Sequence, residues 1–389
     1  MTQRLEASTS SRRRDGRTRL LGELVSRGPA TRAELARTTG LAPSTVTSLV
    51  AALLKEGVVR PADSPGPAGV GRPGQRICLG RRAGVVVGVD LGRRHLKVAV
   101  ADLSHELLAR TEVSKSADHG AAEDIELIRK QVEATLAAAE VTRDEVLALG
   151  MGLPGPVHTS GEIGDSAILP GWIGVQAGHS LEEALGMAVT VDNDANLGAL
   201  SESTWGAGSG VRDLVFLKVA TGIGAGLVIH GRVFRGAGNT AGEIGHTVID
   251  PGGPVCRCGN RGCLEMYAGS AAILAAVQPT HPEIADLATV VRRAEQGDGG
   301  CRLVIADAGR AIGSALATVC NIVNPARVIV GGTLGEAGEL LLEPMRVAVL
   351  RGAVRSAAQD VEIVGASLGS DSELMGAVAL ALGHAEVTP

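Results

Sequence analysis

Val85-Val86-Val87-Gly88-Val89-Asp90-Leu91-Gly92 is an apolar run that ends on an acid and a glycine. The pattern returns at Leu214-Val215-Phe216-Leu217-Lys218-Val219, with Thr221-Gly222-Ile223-Gly224-Ala225-Gly226 behind it as a glycine turn. A short apolar run closed by turn residues predicts a buried strand. Strands over Leu96–Ala101 and Leu107–Val113 follow the first run, and a helix over Ile125–Ala139 follows them. A hairpin over Leu227–His230 and Arg232–Phe234 follows the second run, and a long helix over Cys301–Ile322 leads into the strand Val328–Val330. Strand, glycine turn and strand thus occur twice, about 130 residues apart. This predicts an α/β body made of two related lobes.

With 389 residues, 45% of them apolar, the chain has material for two or three domains and a large core. Only two Trp, one Tyr and two Phe are present, so that core must be built from Val, Leu, Ile and Ala. No uninterrupted apolar stretch approaches the ~18 residues needed to span a bilayer, and Arg12-Arg13-Arg14 is not followed by an apolar segment. A cytoplasmic protein without a membrane partner is expected. The net charge of -5 conceals an asymmetry: residues 1–82 hold 15 Lys+Arg against 6 Asp+Glu, and the remainder 22 against 36. A basic end on an acidic body points to a polyanion met by the N-terminal part alone.

That part reads as a disordered basic tail over residues 1–16 and a helical module over 17–80. Leu20, Leu21, Leu24 and Val25 share one face of a first helix, which Gly28-Pro29 stops. Thr31-Arg-Ala-Glu34 is a capping box that opens a second helix. Thr39-Gly40 turns, and Pro43 sits at the first position of a third helix carrying Val46, Leu49, Val50, Leu53 and Leu54 to Gly57. This is the helix-turn-helix plan. Ser44, Thr45, Thr47 and Ser48 lie on the exposed face of the third helix, where short hydroxyl side chains approach phosphates and base edges. Val58–Arg60 and Arg76–Leu79 are expected to pair around a wing, Pro65–Gly74, with Arg72 near its tip. The expected partner is operator DNA with an inverted repeat. A small helical dimerisation module is the plainer alternative.

Between Gly242 and Glu265 the chain places His246, Cys256, Cys258 and Cys263 among glycines. Three thiolates and one imidazole suit tetrahedral zinc, and four protein donors leave no open position for water, so one structural Zn2+ per chain is expected. An incidental cysteine pair, a disulfide or a core histidine would be plainer readings, but a disulfide network fits poorly with six cysteines and no secretory signal. Cys78, Cys301 and Cys320 sit in apolar patterns and read as core residues.

Six motifs carry a family resemblance over essentially the whole chain after the tail: Gly88-Val-Asp90-Leu-Gly92, Leu169-Pro-Gly-Trp172, Asp192-Asn-Asp-Ala-Asn196, Thr221–Gly226, Gly242-Glu-Ile-Gly-His246 and the cysteine run through Cys263-Leu-Glu265. The sequence resembles the ROK family of repressors and sugar kinases, and its N-terminal module resembles the repressor branch. The resemblance implies a winged helix-turn-helix followed by a two-lobed actin-like (sugar kinase/RNase H-like) ATPase fold. Its first lobe would span 84–194 plus 371–389, and its second lobe, with the zinc loop, 195–370. It further implies a sugar pocket lined by Asn193, Asp194, Glu243, His246 and Glu265, with Asp194 matching the kinases' catalytic base and Asp192 left as structure.

The kinases' first phosphate loop has the form Asp-x-Gly-Gly-Thr-Lys. This chain reads Asp90-Leu-Gly92-Arg93-Arg94-His95, so two arginines replace a glycine and the threonine. The expectation is a non-enzymatic, sugar-responsive repressor, released from DNA by a free sugar and working as a homodimer or homotetramer. The alternative is a glucokinase-like enzyme with a DNA-binding appendage.

Overall fold

The computed structural model describes residues 15–25, 27–62, 75–164 and 168–385. The N-terminal module is a helix over residues 15–25, the helices Arg32–Thr39 and Pro43–Glu56, and three short strands. Thr31 accepts from the Glu34 amide and Glu34 reaches back to the Thr31 N–H, so the capping box forms as read. Pro43 opens the third helix, and Gly57 closes it in a left-handed conformation. Val59–Pro61 pairs antiparallel with Arg76–Leu79, as expected. Ala30–Thr31 pairs with the other edge of Arg76–Leu79. A two-residue strand has no periodicity to read, and that pairing was not foreseen. Leu20, Leu21, Leu24, Leu35, Val46, Val50 and Leu53 are buried with almost no exposure. The tail before residue 15 and the wing with Arg72 lie outside the described residues.

Two five-stranded sheets follow. The first contains Val85–Leu91, His95–Asp102, Leu107–Ser114, Val146–Leu153 and Val189–Asn193. The second contains Leu214–Val219, Ile223–Ile229, Arg232–Phe234, Arg327–Gly331 and Glu362–Gly365. Numbered in chain order, each sheet runs third, second, first, fourth, fifth. In each, the first three strands form an antiparallel meander. In the second sheet, Arg327–Gly331 pairs parallel with both Leu214–Val219 and Glu362–Gly365. The duplication suspected from two glycine turns is therefore a repeat of whole-sheet topology.

One expectation is corrected in detail. Thr221–Gly226 is not a turn throughout, because Ile223–Ile229 is a continuous strand and only its approach bends. Gly226 serves a close approach instead: a Cβ there would collide with the Ala195 carbonyl and the Ala199 methyl on the crossing helix Asp194–Thr204.

By contacts the chain forms two compact units. One comprises residues 1–151, 178–190 and 377–389, and the other 152–177 and 191–376. The core of the second unit is dominated by the long helix Gly299–Val323. Among the described residues this is the one helix long and apolar enough to cross a membrane, but half of its most apolar stretch is buried inside the protein. Asp298 caps that helix, and Gly309 and Gly313 let the helix Glu339–Gly352 approach its backbone.

Candidate functional site

The loop that carries the cysteines folds as two small bridges, Val248 opposite Cys263 and Val255 opposite Arg261. Gly262 holds a φ of 63° directly against the Asp250 carbonyl, a position no side chain could occupy. This reversal brings His246, Cys256, Cys258 and Cys263 together, with their ligand atoms all within 4.8 Å of one another. The Cys256 Sγ lies 3.6 Å from His246 Nδ1, and Cys258 Sγ lies 3.6 Å from Cys263 Sγ. Zinc–sulfur bonds of about 2.3 Å in a tetrahedron put ligands about 3.8 Å apart, so the cage has the right dimensions for a metal ion. The thiols do not ionise alike. The Asn260 amide pulls Cys258 below the usual thiol range, whereas burial, reinforced by the neighbouring thiols, pushes Cys263 up to about 12. A cation among them would reverse that penalty, since metal binding and thiol deprotonation are coupled. All six cysteines are free thiols, and Cys78, Cys301 and Cys320 are buried as read.

A second group, His281, Asp298 and Cys301, also comes close together. Its geometry is accounted for by helix capping. Asp298 accepts from the Cys301 amide at 2.9 Å and meets His281 Nε2 at 2.8 Å. The Cys301 thiol is fully buried, which raises its pKa to about 11.

Asp192, Asn193 and Asp194 stand where the strand Val189–Asn193 gives way to the helix Asp194–Thr204. Asn193 is the helix N-cap: its Oδ1 accepts from the amides of Ala195 and Asn196, while its Nδ2 donates to the Gly155 carbonyl at 3.0 Å. Asp192 is structural. It accepts from Asn196 Nδ2 at 2.9 Å and is gripped by the Arg235 guanidinium through Nε and Nη2. Asp194 accepts from the Ala195 amide on one oxygen and from Lys218 Nζ at 2.9 Å on the other.

Glu265 Oε2 accepts from the Ile223 amide at 3.2 Å, and its Oε1 meets Arg257 at 2.8 Å. It thereby ties the metal loop to the second glycine segment. Arg257 lies between Cys256 and Cys258 in sequence, yet only the folded loop reveals its pairing. The Glu243 side chain retains solvent access, but crowding around its carboxyl raises its pKa, and the nearby Asp194 and Glu265 carboxylates add to the rise against His246 and Arg257. The Glu243 carboxyl therefore feels the charges of Asp194, His246 and Glu265. His246 turns Nδ1 to the cysteines; with a metal ion bound there, Nε2 would carry the proton and donate. Carboxylates, an amide and an imidazole N–H suit a ligand rich in hydroxyls.

The first loop closes on itself in the other unit. Arg93 and Arg94 are exposed at its tip. His95 folds back so that its ring covers Gly92, where a Cβ would overlap it, and its Nε2 meets Asp90 at 3.1 Å. The Gly92 N–H donates to the His95 carbonyl at 3.0 Å, so this amide is already engaged within the loop.

On the winged helix, Ser44, Thr45, Thr47 and Ser48 are all exposed, and the Thr47 hydroxyl donates to the Pro43 carbonyl at 2.9 Å. Two contacts join this module to the turn between the first sheet's strands: His105 Nε2 lies 3.3 Å from the Val25 carbonyl, and Arg60 lies 3.2 Å from Glu106.

A winged helix ahead of duplicated sheets and a His/Cys3 cage defines a DNA-binding module fused to a sugar-kinase fold. The ROK family model matches residues 86–384, and this chain belongs to that family. The MarR family model matches residues 14–68. The xylose repressor of Bacillus subtilis is 28% identical over 368 residues, covering 94% of each chain. A glucokinase of Thermotoga maritima is 32% identical over 310 residues, 76% of this chain and 96% of its own. A solved ROK family transcriptional regulator, a homolog of the E. coli MLC protein, superposes with a TM-score of 0.76 at 26% identity over 97% of both chains.

Proposed function

We propose that this chain is a sugar-responsive transcriptional repressor. The observation that carries the reading is the pairing of a hydroxyl-exposing recognition helix with a first loop in which His95 screens Gly92 and arginines replace the kinase residues. Full-length similarity to a xylose repressor supports it, whereas the glucokinase match leaves the N-terminal module uncovered. Residues 17–80 would read an inverted repeat through Ser44, Thr45, Thr47, Ser48 and Arg72, as one half of a homodimer or homotetramer. Asn193, Asp194, Glu243, His246 and Glu265 would hold a free sugar. A phosphorylated sugar would meet repulsion from Asp194, Glu243 and Glu265.

His246, Cys256, Cys258 and Cys263 would hold one zinc ion as a structural clamp, supplying charge and rigidity and no chemical step. Binding would favour one conformation of the protein over another, and so alter DNA affinity. The protein would work in the cytoplasm, where its sugar and operator meet.

Gel retardation with promoter DNA, with and without D-xylose or D-glucose, tests the reading. Asp194→Ala should bind DNA like the wild type but no longer respond to the sugar; a normal response would remove Asp194 from the pocket. The kinase reading rests on the presence of Asp194 itself. Turnover near ~10 per second in a coupled ATP assay, abolished by Asp194→Asn, would establish that reading instead.

A further inference from the structure

Lys218 is the one charged residue in the strand Leu214–Val219, whose other five members are buried and apolar. Its register partners on the two neighbouring strands are Gly224 and Gly331, so no cross-strand side chain crowds it. Nζ lies 2.9 Å from Asp194 Oδ2 and 3.1 Å from Glu373 Oε1. The two carboxylate side chains are only 10% and 6% exposed, and that of the lysine 18%. A cation thus stands between two acids that are almost out of water.

We propose that Lys218 fixes Asp194 as a charged hydrogen-bond acceptor for a ligand hydroxyl and disables it as a general base. This rests on the reading of Asp194 as a sugar contact and adds what controls it. Without the ammonium, Asp194 and Glu373 would share one poorly hydrated site. Two such acids cannot both stay ionised, and one takes up a proton. A protonated Asp194 would exchange one of its acceptor sites for an O–H donor. With the ammonium present, Oδ2 is committed to Nζ and Oδ1 to the Ala195 amide. The remaining lone pairs can accept from a neutral polyol, but neither oxygen is left uncommitted to receive a proton from it. Asp194 is thereby withdrawn from kinase chemistry independently of the first loop.

The test uses the full-length, zinc-loaded protein with aspartate carboxyls labelled with carbon-13, the Asp194 resonance being assigned through Asp194→Asn. Lys218→Met should move that resonance at neutral pH toward the protonated position, and Lys218→Arg should leave it ionised. Lys218→Gln, which keeps a donor but loses the charge, carries the same expectation as methionine and serves if the methionine variant does not fold. Calorimetry with D-xylose and D-glucose should show affinity falling about tenfold or more in the neutral variants and recovering in Lys218→Arg. An Asp194 resonance unmoved in both neutral variants overturns the proposal. A moved resonance in a protein whose wild type binds neither sugar upholds the control by Lys218 and overturns the sugar reading instead.

Discussion

Glu202 is the most heavily bonded buried acid around the candidate site, and replacing it with glutamine has a cost that can be worked out atom by atom. It sits about two turns beyond Asp194 on the same helix, with no solvent exposure. One oxygen accepts from the Ala207 amide at 2.7 Å and from the Ser367 amide and hydroxyl at 3.3 and 3.2 Å. The other accepts from the Leu368 amide at 2.9 Å and the Ser372 hydroxyl at 3.0 Å. The hydroxyls can rotate to suit an amide, but the backbone N–H groups cannot. In either orientation the glutamine NH2 faces a backbone donor, so at least one part-buried N–H loses its partner at about 1–3 kcal/mol.

The remaining bonds lose their charge assistance, and a total near 3 kcal/mol is expected. For a unit of this size, that lowers the melting temperature by about 6–12 °C. The assay is convenient, because Trp172 and Trp205 are the chain's two tryptophans and both belong to the unit 152–177 plus 191–376. Their fluorescence reports the unfolding of that unit alone. A loss under about 1 kcal/mol would refute the reasoning, since it is less than the low end for a single orphaned donor plus weakened charge.

Elemental analysis of protein purified without chelator should find one zinc per chain, and Cys258→Ser should lower both zinc content and melting temperature; a metal-free wild type would remove the clamp. Arg72→Ala should weaken operator binding and reduce the salt slope by about 0.9 if the side chain meets one phosphate, measured by fluorescence anisotropy across a salt series. Burial holds the His105 imidazole below its ordinary value, opposed by the Val25 carbonyl and Asp102. The folded form therefore resists protonation, so stability is fully present above about 6.5 and is lost as the pH falls below it. His105→Gln should flatten that loss in thermal melts between pH 8 and 5.5, and parallel wild-type and variant curves would contradict it.

Local signals were legible where the responsible residues are neighbours in the chain. The Thr31–Glu34 box, Pro43 and Gly57 bound their helices as read, because capping is settled within a few residues. The convergence of His246, Cys256, Cys258 and Cys263 was legible for a related reason: a short loop has few ways to separate four residues so close in sequence. The glycine segment Thr221–Gly226 was read as too long a turn. The same glycines that permit a bend also permit a helix to cross closely, and only the position of Ala195 and Ala199 distinguishes the two.

Sequence by itself determined the element order, the basic module ahead of an acidic body, the ligand set and the damaged first loop, since each is a property of spacing and side-chain type. Only the tertiary structure decided what charges the site residues meet. Lys218 reaches Asp194, Arg257 reaches Glu265, Arg235 reaches Asp192 and His95 lies over Gly92. In the first and third of these pairs the partners are separated by 24 and 43 residues. No periodicity links them, because the contacts come from strand register and helix crossing. A long, flexible cation also has no directional preference to read until a buried carboxylate is brought within its reach.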